Sequence, residues 1–179
     1  MPSNETLRQE VLGMQARDQE MRKTIMARYG LGVPFSPEDA AWVEAVDGGN
    51  TRRMQEIIRD HGWPSLSVVG EDGAAAAWLL VQHADETPDF QKQCLELLEA
   101  AVAVGEASAR NLAYLTDRVR VHDGLPQVYG TQGQWVDGKL ALGDIEEADG
   151  VDQRRAAMGL EPVAEYLATL KRHYGDDSP

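Results

Sequence analysis

Residues Ala74 to Val81 read Ala-Ala-Ala-Ala-Trp-Leu-Leu-Val, a run with no polar side. A helix that is apolar around its whole circumference has to be covered by other elements. The run is far shorter than the roughly 20 residues that a bilayer crossing needs. The cover must therefore come from the chain itself, and the fold follows from asking which segments can supply it. The buried helix is expected to extend from Ala74 to His83.

The first candidate is the segment from about Ser3 to Tyr29. Leu7, Val11, Met14, Asp18, Met21, Ile25 and Tyr29 fall at spacings of three and four, the signature of an amphipathic helix. Ser3 or Asn4 can cap it, and Gly30, Gly32 and Pro34 stop it. Ser36-Pro37-Glu38-Asp39 opens a second helix, with Asp39 completing a capping box. That helix is expected to end at Asp47-Gly48-Gly49. Asn50 then caps a third helix through Met54, Ile57, Ile58 and His61, closed by Gly62. Trp63 to Gly73 reads as a loop. Phe90, Cys94, Leu97, Leu98, Ala101 and Val104 mark a helix ending at Gly105, and Leu112, Leu115 and Val119 mark another from about Glu106 to Val121.

After Gly124 the pattern changes. Residues 126–142 are richer in Gly, Val and aromatics, and Asp137-Gly138 sits between short strand-like arms, so a hairpin or extended flap is expected there. Val151 to Gly159 and Pro162 to Tyr174 read as two closing helices, and the tail 175–179 as frayed. The expectation is a mainly α, single compact domain over residues 1–179, with its core in about 4–174: six to eight helices and one small hairpin. A chain of 179 residues with 42% apolar composition can bury such a core without disulfides or a structural metal.

Charge narrows the partners. Seventeen Lys and Arg against thirty Asp and Glu give a net charge of −13. Such a surface repels phosphate backbones and anionic membranes, so neither nucleic acid nor a membrane is expected. The polar N-terminus carries no apolar signal core, and the one cysteine, Cys94, lies in an apolar helical run. A cytoplasmic location is expected.

Four places put polar groups where apolar ones belong, and such local violations concentrate at functional or strained sites. Asp18 occupies a slot in the first stripe, with Arg22 one turn on as an ion-pair partner. His61 continues the Met54, Ile57, Ile58 stripe. Gln82 and His83 end the buried helix. Gln127 and Tyr129-Gly130-Thr131-Gln132 form a loop able to cover a cavity. Each has a structural alternative: an intrahelical pair at Asp18, helix-dipole pairing for the two histidines, and a simple turn at Tyr129–Gln132. There is no GxSxG elbow, HExxH, CxxC, P-loop or GxGxxG fingerprint, so no cofactor is expected. His61, His83 and Asp85 offer metal-ligand atoms, but their spacing does not demand a metal, and none is expected.

As a set, His61-Gly62-Trp63-Pro64, Gln82-His83-Ala84-Asp85, Tyr114-Leu115-Thr116-Asp117-Arg118, Tyr129-Gly130-Thr131-Gln132 and Arg154-Arg155 ahead of Gly159-Leu160 resemble a bacterial family known as a domain of unknown function, from about Asp18 to Tyr166. The resemblance implies a single-domain, cytoplasmic bacterial protein and implies no activity. The residues it points to are His61, Trp63, Gln82, His83, Asp117, Arg118, Gln127, Tyr129, Gln132 and Arg155.

Two functional readings follow. In the first, the protein is a cofactor-independent enzyme acting on a small polar molecule or modified peptide by hydrolysis, isomerisation or cyclisation. His61, His83, Asp117, Tyr129 and Gln132 would surround one cavity, a histidine moving the proton and a carboxylate orienting it. Asp18, Trp63, Gln82, Arg118, Gln127, Gln132 and Arg155 would bind substrate, with Arg118 or Arg155 on a carboxylate. In the second, the same groups form a satisfied network in a ligand-binding or protein-interaction module.

Overall fold

A computed structural model describes residues 2–29, 34–137 and 139–175. Its described residues form seven α-helices and one two-stranded hairpin, as expected. The helices are α1 (Glu5–Tyr29), α2 (Pro37–His61), α3 (Leu66–Gln82), α4 (Pro88–Ala103), α5 (Ala109–His122), α6 (Val151–Ala157) and α7 (Val163–Tyr174). Strands β1 (Gly133–Val136) and β2 (Lys139–Leu142) pair antiparallel, Trp135 opposite Leu140. No helix among the described residues is long and apolar enough to cross a membrane.

The apolar helix is central. α3 touches α1, α2, α4 and α5, and Ala74, Ala76, Ala77, Leu80 and Val81 are all buried. α1 lies along it with the stripe Leu7, Val11, Met14, Asp18, Met21, Ile25 inward. Each fully buried Leu, Val, Ile or Met in that stripe contributes about 1.5–3 kcal/mol. Asn4 caps α1, its Oδ1 accepting from Leu7 N at 3.0 Å. Cys94 is buried in the same core, and burial pushes its thiol up to about 12.

Three local expectations are corrected. The second and third helices are one, because α2 runs straight through Gly48-Gly49. Two helical glycines cost about 1 kcal/mol each against Ala. Burial of Asn50, Thr51, Met54, Ile57 and Ile58 along one helix outweighs that. Ser36 does cap α2, accepting from Asp39 N, but the Asp39 carboxylate takes bonds from Arg28 and Tyr29 instead of closing a box. The expected loop 63–73 is helical from Leu66, with a break at Gly70 (φ 75°, ψ 174°). That break exposes carbonyls of the first turn, and Ser67 O and Val68 O accept from Ser3 N and Asn4 N, which sets α1 parallel to α3. The turn residue Gly138 and residues 176–179 lie outside the described residues, as do Gly30 and Gly32.

The hairpin, α6 and α7 form a smaller layer with Leu140, Val151, Leu160 and Tyr166 buried. It joins the bundle through the 125–132 stretch. Gly130 there needs its missing Cβ: φ is +64°, and a Cβ would stand 2.6 Å from Ile145 Cδ1.

Candidate acid–base site

Because α1 runs parallel to α3, the polar slot in the α1 stripe meets the end of the apolar helix. Asp18 is 0% exposed. His83, directly after α3, places Nδ1 3.0 and 3.1 Å from the two Asp18 oxygens. Gln19 Nε2 donates to Asp18 at 2.8 Å, and Arg22 Nε, one turn on, lies 3.2 Å from it. Arg22 Nη2 reaches Asp47 on α2 at 2.8 Å, so one guanidinium spans two carboxylates.

Burial raises the Asp18 pKa and is the largest single influence. The His83 hydrogen bond and charge, Arg22 and Gln19 together outweigh it, so the carboxyl is held below its ordinary range. Asp47 goes the other way: burial raises it and the Arg22 pair only partly offsets that. An ionised Asp18 can only accept, so the His83 proton belongs on Nδ1, facing it. Arg22 Nε, 3.0 Å from that nitrogen, then donates to Asp18 and not to the ring. This assignment leaves Nε2 with the basic lone pair.

The ring lines a cavity of about 800 Å³ whose walls also include Arg22, Glu44, Asp47, Arg52 and Glu86. A buried carboxylate, an oriented imidazole and an open cavity are the parts a general acid–base site requires. Among the described residues, no group of three or more His, Cys, Asp or Glu is placed to hold a metal ion.

The other candidates do not converge here. His61 is exposed at the far end of α2, fourteen residues beyond Asp47 in the sequence, about 20 Å along the helix axis. Trp63 is packed in the main core. Asp117, 0% exposed, accepts from Val128 N, Tyr129 N, Thr131 N and Thr131 Oγ1, so both its oxygens are occupied by the loop. Arg155, equally buried, donates Nε to Glu161 O and Nη1 to Tyr129 O and Gly130 O, with its guanidinium over the Tyr166 ring. Gln127 Nε2 and Oε1 bond Gln132 O and N. Asp117, Gln127 and Arg155 thus hold the backbone of the 127–132 stretch. Tyr129 does not line the His83 cavity.

Gln82, Arg118 and Gln132 do come together, but at a different cavity of about 330 Å³ on another side of α3. Arg118 Nη1 lies 2.8 Å from both Asp85 oxygens, so this guanidinium already has a carboxylate partner within the protein, while Arg155 is fully buried.

Two contributors escaped the sequence reading. Asp47 continues the buried α2 face at a spacing of four from Thr51, which is visible only if the helix is allowed to run through the glycines. Gln91, fully buried on α4, donates Nε2 to Val81 O, Gln82 O and Asp85 Oδ1, and so fixes the end of α3 from which His83 projects. No sequence signal marks it, since one Gln in an amphipathic helix is ordinary.

A family model described as "Family of unknown function (DUF6624)" matches residues 5–178. No curated protein and no solved structure matches the chain.

Proposed function

The chain belongs to the family of unknown function DUF6624, and for it we propose a cofactor-independent acid–base enzyme centred on His83. The observation that carries the reading is the buried Asp18 carboxylate 3.0 Å from His83 Nδ1, with the ring open to a cavity of about 800 Å³. His83 Nε2 takes a proton from the substrate or from an attacking water. The imidazolium that forms is compensated by Asp18, and the same nitrogen returns the proton to the leaving or rearranged group. Asp47, raised by burial and facing the same cavity, is the second proton carrier, while Asp18, held ionised, orients the His83 base. Arg52, which makes no ion pair among the described residues, is available to a substrate anion. The substrate class is a small polar molecule or modified peptide, and the reaction a hydrolysis, isomerisation or cyclisation. The acidic surface favours such a ligand over nucleic acid or an anionic membrane, and suits a bacterial cytoplasm.

The Arg22 bridge between Asp18 and Asp47 favours one other reading, a closed network in a non-catalytic binding module. One experiment separates them. Pools of small polar metabolites are incubated with the protein and followed by proton NMR. On the enzyme reading at least one compound is converted, and His83→Gln slows that conversion by about 10²–10⁴-fold while leaving the circular dichroism unchanged. Conversion that survives His83→Gln removes the proposal. Saturable binding in the His83 cavity without conversion supports the module.

A further inference from the structure

One face of α2 brings unspent acceptors to the His83 cavity. Glu44, Asp47 and Thr51 all line it, at spacings of three and four that make their side chains neighbours on the helix surface. Asp47 gives Oδ1 to Arg22, and its Oδ2 makes no hydrogen bond among the described residues. Thr51 is 6% exposed, and its hydroxyl also has no partner among them. Neither oxygen is sealed from solvent, so both stay open to what enters the cavity. A side chain this buried with an unpaired polar atom asks for a partner, and a ligand can supply it. Glu44 is exposed and makes no ion pair among the described residues. Gly48, one turn on from Glu44, lines the same cavity and adds no side chain to that wall.

Charge restricts the ligand. Arg22 is spent on Asp18 and Asp47, and Asp85 on Arg118. Two wall carboxylates, Glu44 and Glu86, and one wall guanidinium, Arg52, have no ion pair among the described residues, so the open balance is negative. Burial disfavours the Asp47 charge, and a cation beside it offsets that. A primary ammonium has three N–H donors, one for each of the three acceptors. We propose that the His83 cavity takes a small primary amine, its ammonium held by Glu44, Asp47 and Thr51. Phe35, Ala40 and Val43 supply apolar wall for the carbon chain. The amine is a substrate only on the enzyme reading, where the proton that Asp47 carries moves to or from the amine nitrogen. Its binding does not depend on that reading.

n-Butylamine is the probe, titrated near neutral pH into the full-length protein with its histidines isotopically labelled. The chain has four His, so the imidazole signals are few, and His83→Gln assigns the relevant ones. The expected result is a saturable shift of the His83 signals with a Kd on the order of 1 mM or tighter. Butyrate should bind about tenfold more weakly, because its charge has the wrong sign for the wall. Butyltrimethylammonium, which keeps the charge but has no N–H, should also bind about tenfold more weakly. Thr51→Val, of the same shape without the hydroxyl, should weaken butylamine about tenfold, and so should Glu44→Gln. The glutamine variant, on the surface, serves if the valine variant does not fold. The proposal is overturned if the His83 signals do not move saturably. It is equally overturned if butyrate or butyltrimethylammonium binds as well as butylamine, or if neither variant weakens binding. Amine binding without conversion of any metabolite leaves the proposal standing and favours the module. His83-dependent conversion of a compound without an amine, with butylamine not bound, overturns it and leaves the enzyme reading in place.

Discussion

Replacing Asp117 should destabilise the fold more than an ordinary polar substitution does. Its carboxylate accepts from Val128 N at 2.7 Å, Tyr129 N at 3.0 Å, Thr131 N at 2.9 Å and Thr131 Oγ1 at 2.9 Å. Hydrogen bonds to a charged group are worth about 1.5–3 kcal/mol each, and a stranded buried donor costs about 1–3 kcal/mol. Asp117→Ala strands three backbone N–H groups. Val128 and Tyr129 are half-buried, so water meets part of the loss. The expected destabilisation is about 4 kcal/mol, near the upper end for single substitutions. Asp117→Asn keeps one oxygen. In its better orientation the amide nitrogen faces the Thr131 pair, the hydroxyl turns to accept, and one N–H is stranded, for about 3 kcal/mol. Urea unfolding followed by helix circular dichroism measures both. Hydrogen exchange should also quicken at the amides of residues 128, 129 and 131 before it does in α3. A loss under about 1 kcal/mol for the alanine variant would refute the argument, because the groups would then be satisfied some other way.

The two carboxyls bridged by Arg22 should respond to acid in opposite senses. Asp18 is lowered in the fold, so its contribution is present above the ordinary carboxylate range and fades as pH falls through its folded value; Asp18→Asn should cost about 3 kcal/mol near neutrality and less in acid. Asp47 is raised, so its contribution is present in acid and lost as pH rises through its folded value; Asp47→Asn should cost little at neutral pH, and more in acid than at neutrality. Urea titrations across this range test both, and parallel pH trends for the two variants would contradict the assignment. Cys94, pushed up to about 12 by burial, should resist a disulfide exchange reagent in the native protein and react as urea opens the core; immediate stoichiometric labelling of the folded chain would be the contrary result.

Helical periodicity carried most of the architecture. The α1 stripe from Leu7 to Ile25 is the buried face, Asp18 included, and the apolar run at Ala74–Val81 is the centre of the bundle. Local chemistry misled where tertiary burial overrode it. Gly48-Gly49 reads as a stop by propensity, yet the face formed by Asn50, Thr51, Met54 and Ile57 carries the helix across. Within the site, spacing identified Asp18 and His83 separately, but their contact depends on the parallel setting of α1 and α3. That setting comes from two backbone bonds, Ser3 N to Ser67 O and Asn4 N to Val68 O, which no pattern announces. Asp117, Gln127 and Arg155 stood out as polar residues near a loop. Their hydrogen bonds run to backbone atoms, and a list of side chains cannot distinguish that arrangement from a pocket.

The grip on the 127–132 stretch is made mainly on main-chain atoms. Asp117 holds N–H groups at 128, 129 and 131, Arg155 holds carbonyls at 129 and 130, and the Tyr166 hydroxyl holds the carbonyl of 131. The path of the loop is therefore written largely in residues outside it, with Gln127 clamping its own stretch at residue 132. Side chains at 128 and 129 can be exchanged without altering the course of the chain, whereas Gly130 cannot, because its backbone angle and the nearby Ile145 admit no Cβ. For protein engineering this makes positions 128 and 129 a ready place to install new side chains on a rigid support, with the surrounding clamp acting as a fixture that accepts many inserts.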